Sequence, residues 1–331
     1  MKKENDLTEQ TSKIFKDIYL TYDDFEGYGD QLYIEGDYEC AEMYYSCELK
    51  ILLMRRDYLA LHCPNHPIVE GDWEAIQIAR LKLLLSRYHK VLHNWEKNNS
   101  VDEFLADVIK RGLWLCRGNN ADVNVLVTGI NPSFTGFSTE PKPNEFEKWH
   151  HHFPMFVECK GGHWNPILKI VANQFRVNHP HVWQAAYLDL FPLRVSSQND
   201  MVKIPVELRA ELLRITQMEI ERLKPKLILH LNGGKKGGKK GSWFYWGYDK
   251  ENPWMGYDLE LVEEYQGKGE LYRIRGMQDT DKKILPLSKT NLEGSLLLLY
   301  KSQTPRGRLL PREELLTEED VRQIFINHYK E

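Results

Sequence analysis

The hydrophobic positions follow a helical period in the first third of the chain. Those of the clearest helix recur every three or four residues, at Leu81, Leu84, Tyr88, Val91 and Trp95. Asp72 can cap the start of this helix, and Ser100 with Glu103 has the spacing of a capping box ahead of the next one. These patterns predict a helical region over residues 1–118.

Short continuous apolar runs replace the helical period from about residue 119 onwards. Four of them predict β-strands, at residues 123–128, 185–191, 227–231 and 295–300. Helices are predicted between strands, over Trp164–Phe175 and over Val206–Leu223. The alternation predicts an α/β fold with a central, mostly parallel four-stranded sheet flanked by helices, next to the added N-terminal helical region.

The helix over Val206–Leu223 begins after Pro205, stops at Pro225, and is expected to bury one face, formed by Leu208, Leu212, Ile215 and Met218. The stretch 233–294 is rich in Gly and aromatic residues and is expected to form a loop with one or two hairpins. A last helix is predicted from Glu318 to Tyr329. The predicted divisions are a helical region, an α/β domain and a C-terminal helix, over residues 1–118, 119–312 and 313–331.

The composition is that of a globular protein. Of the 331 residues, 42% are hydrophobic, which is ordinary for a chain with a packed core. No apolar run approaches the roughly 18 residues that span a bilayer, and the N-terminal residues lead into no signal-peptide core. The five cysteines are scattered and odd in number, as in proteins with reduced thiols. We therefore expect a cytoplasmic protein with no membrane partner.

The net charge of -4 does not by itself indicate a nucleic-acid binder. Acidic residues concentrate near the N-terminus, since no Lys or Arg occurs between Lys16 and Lys50. Charge runs of this kind usually form a solvated face of a protein. The alternative is a surface that repels DNA, or mimics it, and so confines DNA binding to another part of the molecule.

A tight polar turn follows the first predicted strand, with the sequence Gly129-Ile130-Asn131-Pro132-Ser133. Gly129 can adopt backbone angles that are closed to other residues, and Pro132 fixes the next bend. Asn131 is held between them with an amide that can orient a water molecule or a ligand. Because α/β proteins place their chemistry at the carboxyl ends of strands, this turn is the leading candidate for a functional site.

This turn closely resembles the first active-site motif of the uracil-DNA glycosylase superfamily, in particular its mismatch-specific and single-strand-selective branches. The Asn of that motif positions the hydrolytic water, which assigns this role to Asn131. By the same resemblance the base is lined by Gly129, Ile130 and Phe134, and Ser133 contacts the DNA. The resemblance implies a uracil-DNA glycosylase-like α/β domain that acts on an extruded base.

The segment after the turn is similar in layout to the mismatch-specific branch, in which a loop with His and an aromatic leads to a Gly-containing turn and a Phe-Trp helix. Here the loop reads His150-His151-His152-Phe153, and His163-Trp164 takes the place of Phe-Trp. An extruded pyrimidine needs an aromatic face to stack on, and Phe153 can supply it. Packing in the protein core is the alternative for Phe153 and Trp164.

The second predicted strand ends in Asp189-Leu190-Phe191-Pro192-Leu193, which is similar to an Asn-x-Cys-Pro-Leu string of the single-strand-selective branch. The Asn amide of that branch reads the edge of the base, so the resemblance gives this role to Asp189. An ionised carboxylate only accepts hydrogen bonds, and position 4 carries an amino group in cytosine but an oxygen in uracil. Asp189 therefore favours a cytosine derivative over uracil, and a capping or salt-bridged Asp is the alternative.

A glycine-rich segment with four lysines follows the third predicted strand, next to the aromatic residues 243–246. The helix end and the strand before it, residues 223–233, are of a kind common in this superfamily and also in other α/β folds. Lysines on a flexible backbone can track phosphates, while aromatic side chains can stack on unpaired bases. A solubilising loop is the alternative for these DNA-binding candidates, Lys235, Lys236, Lys239 and Lys240.

The second active-site motif of the family, HPSP or NPSG, should follow the last strand, where this chain reads SQTP. Ser302 then stands in place of the His that stabilises the departing base anion. Help for the leaving base would come from Ser302, Gln303 or His163, which spacing alone does not rank. Phosphate contacts suit the two arginines of the following loop, Arg306 and Arg308.

Metal ligation is not predicted, and we expect no cofactor. Cys63 with His66, and Cys159 with His163, have ligand-like spacings, but neither pair completes a four-ligand pattern. The glycine motifs of nucleotide-binding enzymes do not follow any predicted strand, which makes a phosphate-binding enzyme a poorer interpretation.

The resemblance covers about residues 119–312 and implies a monofunctional DNA glycosylase, in which a water held by Asn131 captures the sugar as an extruded pyrimidine leaves. The motif places no Lys nucleophile, so abasic DNA is the expected product. Asp189 favours a modified cytosine, such as the hydroxymethyl or glucosylated cytosines of phage DNA, because removal of plain cytosine would destroy the cell's own genome. The enzyme would then serve antiviral defence. The alternatives are a uracil-DNA glycosylase of base excision repair and an inactive DNA-binding relative.

Overall fold

The computed structural model describes ten stretches of the chain, at residues 27–62, 68–116, 124–132, 185–231, 243–247, 253–265, 268–281, 284–285, 287–300 and 314–329. These residues fall into two compact units. The first contains the described residues up to Lys97, and the second contains those from Asn98 onwards.

The first unit is helical, as its apolar period predicts. Helix α1 covers Tyr38–His62 and helix α2 covers Ile68–Asn98. Asp72 lies inside α2, so its predicted role as the cap is wrong: Ile68 and Val69 extend the apolar pattern ahead of it, and the helix begins one turn earlier. One buried hydrophobic cluster combines Leu52 of α1 with Ile76 and Ala79 of α2.

Helix α3, Glu103–Lys110, belongs to the second unit. Its N-cap is Asp102, whose carboxylate accepts a hydrogen bond from the backbone N–H of Leu105 at 2.7 Å. The predicted capping box that starts at Ser100 is therefore wrong, because a carboxylate is better placed at the positive end of the helix dipole than a hydroxyl two residues further out.

The chain after α3 runs beside the segment that follows the second strand. Leu113 forms a β-bridge with Leu193, and the N–H of Trp114 donates to the carbonyl of Pro192 at 3.0 Å. These backbone contacts join residues 98–116 to the α/β unit. The units of the structure thus divide at residue 98, whereas the apolar pattern placed the division at residue 118.

The second unit is built on a mixed β-sheet. Its strands are β1 (Val125–Thr128), β2 (Ala185–Tyr187), β3 (Leu227–His230), β4 (Tyr257–Tyr265), β5 (Gly269–Met277) and β6 (Leu296–Tyr300). Their order across the sheet is β2-β1-β3-β6-β5-β4. The first four in this order are parallel and coincide with the predicted strands, while β5 pairs antiparallel with β6 and with β4.

The predicted four-stranded sheet is corrected to six strands in the part of the chain that the structure describes. The stretch 233–294 does contain a hairpin, but this hairpin adds β5 and β4 to the free edge of β6. An uncovered β6 would present a row of unpaired backbone N–H and C=O groups, and β5 satisfies them. The α/β class is confirmed, with a mixed rather than mostly parallel sheet.

Helices cover both faces of this sheet. Helix α4, Val206–Leu223, has the predicted bounds and ends at Lys224 in the left-handed conformation, with φ 48°. Met218 was expected on its buried face, but 55% of the residue is exposed, because at 3.6 residues per turn it points about 80° away from Leu208. A short helix α5, Trp243–Trp246, follows.

The C-terminal helix α6, Glu318–His328, covers the other face and ends within one residue of its predicted end. It begins with a capping box, in which Thr317 and Asp320 bond each other's backbone N–H groups. Val321 and Ile324 belong to the same buried hydrophobic cluster as Val127 and Leu298 of the sheet. Among the described helices, none is long and apolar enough to cross a membrane.

Candidate active site

The turn after β1 and the segment after β2 lie side by side. Val127 pairs with Tyr187 in the parallel ladder, and the pairing continues beyond the strands. Leu190 donates its backbone N–H to the carbonyl of Gly129 at 3.0 Å, and Phe191 donates to the carbonyl of Ile130 at 2.9 Å. The carboxyl ends of β1 and β2 therefore bring the motif Gly129–Asn131 next to Asp189, at the edge where α/β folds bind ligands.

Gly129 has no room for a side chain. A Cβ at this position would lie 2.5 Å from Oδ1 of Asp189 and 3.2 Å from the hydroxyl oxygen of Tyr187. The first separation is shorter than any that real Cβ atoms adopt. Glycine is thus required here by the close approach of the Asp189 carboxyl group to the main chain.

The carboxyl group of Asp189 is buried, with 4% of the residue exposed, and its two oxygens differ. Oδ1 accepts a hydrogen bond from the Tyr187 hydroxyl at 2.6 Å. Oδ2 has no hydrogen-bond partner among the described residues. A buried polar atom without a partner is costly, and such atoms concentrate where a ligand supplies the missing bond.

Burial raises the pKa of Asp189 to about 7, because the charged form loses its hydration. Hydrogen bonds from the Tyr187 hydroxyl and from the Gly129 backbone N–H act in the opposite direction and are weaker. The carboxyl group is therefore found in both the neutral and the ionised form near pH 7. The ionised form, which favours a cytosine derivative, is thus only one of the two forms present.

Asn131 is oriented by two carbonyl groups. Its Nδ2 donates to the carbonyl oxygen of Pro132 at 2.9 Å and to that of Val195 at 3.3 Å. Since both neighbours only accept, the nitrogen must face them and Oδ1 must point away. Oδ1 is buried and has no hydrogen-bond partner in the part of the chain that the structure describes. It is placed to accept a hydrogen bond from a water molecule or a ligand.

Arg111 holds the segment that carries the Val195 carbonyl. Its Nη1 donates to the carbonyl of Arg194 at 3.2 Å and to Oγ of Ser196 at 3.1 Å. In return, Nη1 of Arg194 donates to the carbonyl of Arg111 at 3.4 Å. The sequence gives no sign of this arrangement, because the two arginines are separated by 83 residues and belong to no shared motif.

His230 is buried, and the sequence pattern did not identify it as a candidate site residue. Its Nδ1 lies 2.6 Å from Oγ1 of Thr128, and its ring packs edge-on against Trp246. Burial lowers the pKa of His230 to about 3, so the imidazole is neutral at pH 7. Thr128 and His230 form the pair next to Val127, and neighbouring strand residues face opposite sides. His230 therefore lies on the sheet face opposite Tyr187.

The aromatic residues 243–246 do not form a stacking surface as a group. Tyr245 and Trp246 are buried, so the interpretation that they stack on bases is wrong for these two. The Tyr245 hydroxyl accepts a hydrogen bond from Arg209 at 3.0 Å, and its ring packs on Phe191 with centroids 5.0 Å apart. The large apolar rings of Tyr245 and Trp246 favour burial over exposure to solvent. Trp243 and Phe244 are half-buried.

Of the residues predicted from sequence, the structure brings together Gly129, Ile130, Asn131 and Asp189. The other predicted site residues lie outside the described part of the chain: Ser133, Phe134, Phe153, His163, Lys235, Lys236, Lys239, Lys240, Ser302, Gln303, Arg306 and Arg308. So do the cysteines and histidines with ligand-like spacing. Within the described residues, no group of three or more His, Cys, Asp or Glu side chains could hold a metal ion.

The chain was also compared with known proteins. No protein-family model, curated protein or solved structure matches it.

Proposed function

We propose that this protein is a monofunctional DNA glycosylase that hydrolyses the N-glycosidic bond of an extruded pyrimidine, with a C5-modified cytosine as the base. One observation carries the proposal. Two buried oxygens, Oδ1 of Asn131 and Oδ2 of Asp189, lack hydrogen-bond partners among the described residues, at the carboxyl ends of neighbouring parallel strands. Oδ1 of Asn131 suits a water molecule, and Oδ2 of Asp189 suits the edge of a base.

Asn131 would orient the attacking water. The amide cannot take up a proton, so its contribution is to hold the water oxygen in line with C1′ of the sugar while its own Oδ1 accepts a water hydrogen. The C1′–N1 bond breaks with both electrons on the base, the water oxygen bonds to C1′, the water proton passes to solvent, and the base anion takes up a proton from solvent. The products are the free base and an abasic site in an otherwise intact strand.

Asp189 would read position 4 of the base. In the ionised form its Oδ2 accepts a hydrogen bond from the exocyclic amino group of cytosine, which is the pairing expected of a carboxylate. Plain cytosine is excluded as the natural target because its removal would destroy the cell's own genome. Hydroxymethyl and glucosylated cytosines of phage DNA keep the amino group, and their excision would defend the cell against phage.

Uracil is the second candidate, and one observation favours it. The pKa of Asp189 is about 7, so a large share of the molecules carries a neutral carboxyl group near neutral pH. A neutral carboxyl group can donate to the oxygen at position 4 of uracil, as can the Asn amide of the glycosylases whose motif this segment resembles. The protein would in that case act in base excision repair.

The test is direct. The protein is incubated with duplex and single-stranded DNA that carries uracil, cytosine, hydroxymethylcytosine or glucosylated hydroxymethylcytosine at one position, and alkali-labile abasic sites are scored. At pH 8, where the ionised form of Asp189 predominates, we expect cleavage mainly at the modified cytosines, and none with Asn131→Ala. Cleavage at uracil alone would establish the repair function. DNA binding without release of any base would identify an inactive DNA-binding relative.

A further inference from the structure

The two oxygens of the Asp189 carboxyl group differ in their hydrogen bonding to the described residues. Oδ1 accepts the hydrogen bond from the Tyr187 hydroxyl, and it also lies against the main chain at Gly129. Oδ2 is buried and accepts no hydrogen bond from the described residues. A proton that binds to this carboxyl group therefore resides on Oδ2, because Oδ1 is already the acceptor of a donated hydrogen.

We propose that Tyr187 and Asp189 form a proton-controlled base selector, in which ionised Asp189 accepts from a 4-amino pyrimidine and protonated Asp189 donates to a 4-oxo pyrimidine through the same oxygen. The inference rests on the proposed function, and it extends the substrate class to both kinds of base, chosen by pH. Tyr187 is a positioning residue, since it acts on the base only through the carboxyl group.

Few other groups influence the protonation of Asp189. Among the described residues, Tyr187 of β2 is the one titratable side chain in contact with Asp189, and the end of β1 contributes only the main chain of Gly129. No charged side chain of the described helices or of the other strands shifts the protonation equilibrium of Asp189. Burial against two donors leaves the pKa of Asp189 at about 7, so both forms occur within the pH range in which cells live.

The experiment measures the ratio of two excision rates, for hydroxymethylcytosine and for uracil, at pH 6, 7 and 8. Effects of pH on DNA binding or on water attack cancel in this ratio. In the wild-type protein the ratio should rise with pH, by up to about tenfold per unit, because the ionised-to-neutral ratio of one carboxyl group changes tenfold per unit. Asp189→Asn should make the ratio independent of pH.

Tyr187→Phe should keep the pH dependence but lower the ratio at every pH, because loss of the hydroxyl donor favours the neutral acid. A merely structural role of Tyr187 would slow both reactions alike and leave the ratio unchanged. Tyr265→Phe is the matched control: its hydroxyl bonds the Asp320 carbonyl at 3.0 Å, far along the sheet on β4. A wild-type ratio that stays constant from pH 6 to 8 would overturn the inference while leaving the glycosylase proposal intact.

A parallel binding measurement separates the two proposals. Duplexes with 2′-fluoroarabino forms of hydroxymethylcytidine or uridine resist cleavage of the glycosidic bond, so their affinities can be measured whether or not the protein is a catalyst. A ratio of affinities that follows pH in the wild type and not in Asp189→Asn would uphold the selector even if no base is ever released. Equal affinities at all pH values would overturn it.

Discussion

Oδ1 of Asp189 lies 2.5 Å from the point where a Cβ of residue 129 would stand. A methyl group at this position must displace the carboxyl group, which is fixed on its other side by Tyr187. The Asp189 carboxyl group can thus lie against the turn that carries Asn131 only because residue 129 has no side chain.

Gly129→Ala should therefore impair both the fold and the site. We expect a loss of about 1–3 kcal/mol of stability, the usual cost of overpacking, and a loss of excision of at least about a hundredfold. Thermal unfolding and single-turnover excision measure the two effects. Gly27→Ala is the control, because its Cβ would meet nothing within 4 Å. Unchanged excision by Gly129→Ala would show that the Asp189 position is immaterial to the reaction.

Asn131→Ala removes the oxygen that would hold the water. Excision should fall at least about a hundredfold, equivalent to roughly 2.7 kcal/mol of transition-state stabilisation, while DNA affinity stays within a few fold. The measurements are single-turnover rates and binding to a duplex with a non-cleavable base. The exposed Asn199 supplies the control variant, Asn199→Ala. A rate reduced less than tenfold would remove Asn131 from the mechanism.

The proximity of Asn131 and Asp189 could be predicted from sequence because the ends of apolar strands are easily found. Parallel strands align their carboxyl ends, so polar residues that follow two apolar runs, such as Asn131 and Asp189, are expected to be near each other. The bounds of α4 could also be predicted, because Pro205 precedes the helix and Pro225 follows it. In both cases local chemistry and the long-range packing lead to the same answer.

Long-range partners could not be predicted in this way. Tyr187 is an ordinary strand residue by its pattern, and only the three-dimensional structure shows its hydroxyl on Asp189. The hairpin of β4 and β5 was expected, but its place in the sheet was not, because β4 carries exposed acidic residues such as Glu260 and Glu264 that resemble a loop. The string at 243–246 reads equally well as a core or as a stacking surface.

Asp189 should make the stability of the protein depend on pH. Its pKa is about 7 in the folded state and about 3.8 ordinarily, so the folded state binds more protons between these values. Stability is then lost as the pH rises from about 4 to 7. Asp189→Asn, which keeps the shape and the acceptor for Tyr187, should raise the free energy of unfolding at pH 8 by at most about 4 kcal/mol.

Urea unfolding of both proteins at pH 5 and pH 8 measures this effect. The gain from Asp189→Asn should be clearly larger at pH 8 than at pH 5, because most of the loss of stability occurs between pH 5 and pH 7. The same gain at both pH values would mean that the buried carboxyl group does not ionise in this range. Asp200→Asn, at a half-exposed carboxyl group paired with Lys203, is the control for the general effect of removing a charge.

The four lysines between residues 235 and 240 should carry part of the affinity for DNA. Replacing Lys235, Lys236, Lys239 and Lys240 with Ser should weaken binding to all sequences alike, because phosphates carry no sequence information. The slope of log affinity against log salt should flatten by up to about three or four units. Fluorescence anisotropy over a salt series measures it, and an unaltered slope would indicate a solubilising segment. Base preference should not change in this variant.

Arg111 should support the reaction from a distance, through the backbone that orients Asn131. Its guanidinium bonds both the Arg194 carbonyl and the Ser196 hydroxyl, on either side of the Val195 carbonyl that receives the Asn131 amide. Arg111→Ala should lower the rate of excision about tenfold with little change in DNA affinity. Arg111→Lys should not restore it, because one ammonium group cannot keep both Nη1 bonds and also replace the Nη2 bond to Asp107.

The control for Arg111 is Arg214→Ala, at a half-exposed arginine that pairs only with Glu211 on the same helix among the described residues. Surface pairs of this kind contribute little to stability, so both the rate and the affinity should stay at wild-type values. If Arg111→Ala changes affinity and leaves the single-turnover rate untouched, the arginine contacts DNA directly. A lower rate at constant affinity identifies it as the residue that holds the Val195 carbonyl, and with it the Asn131 amide, in place.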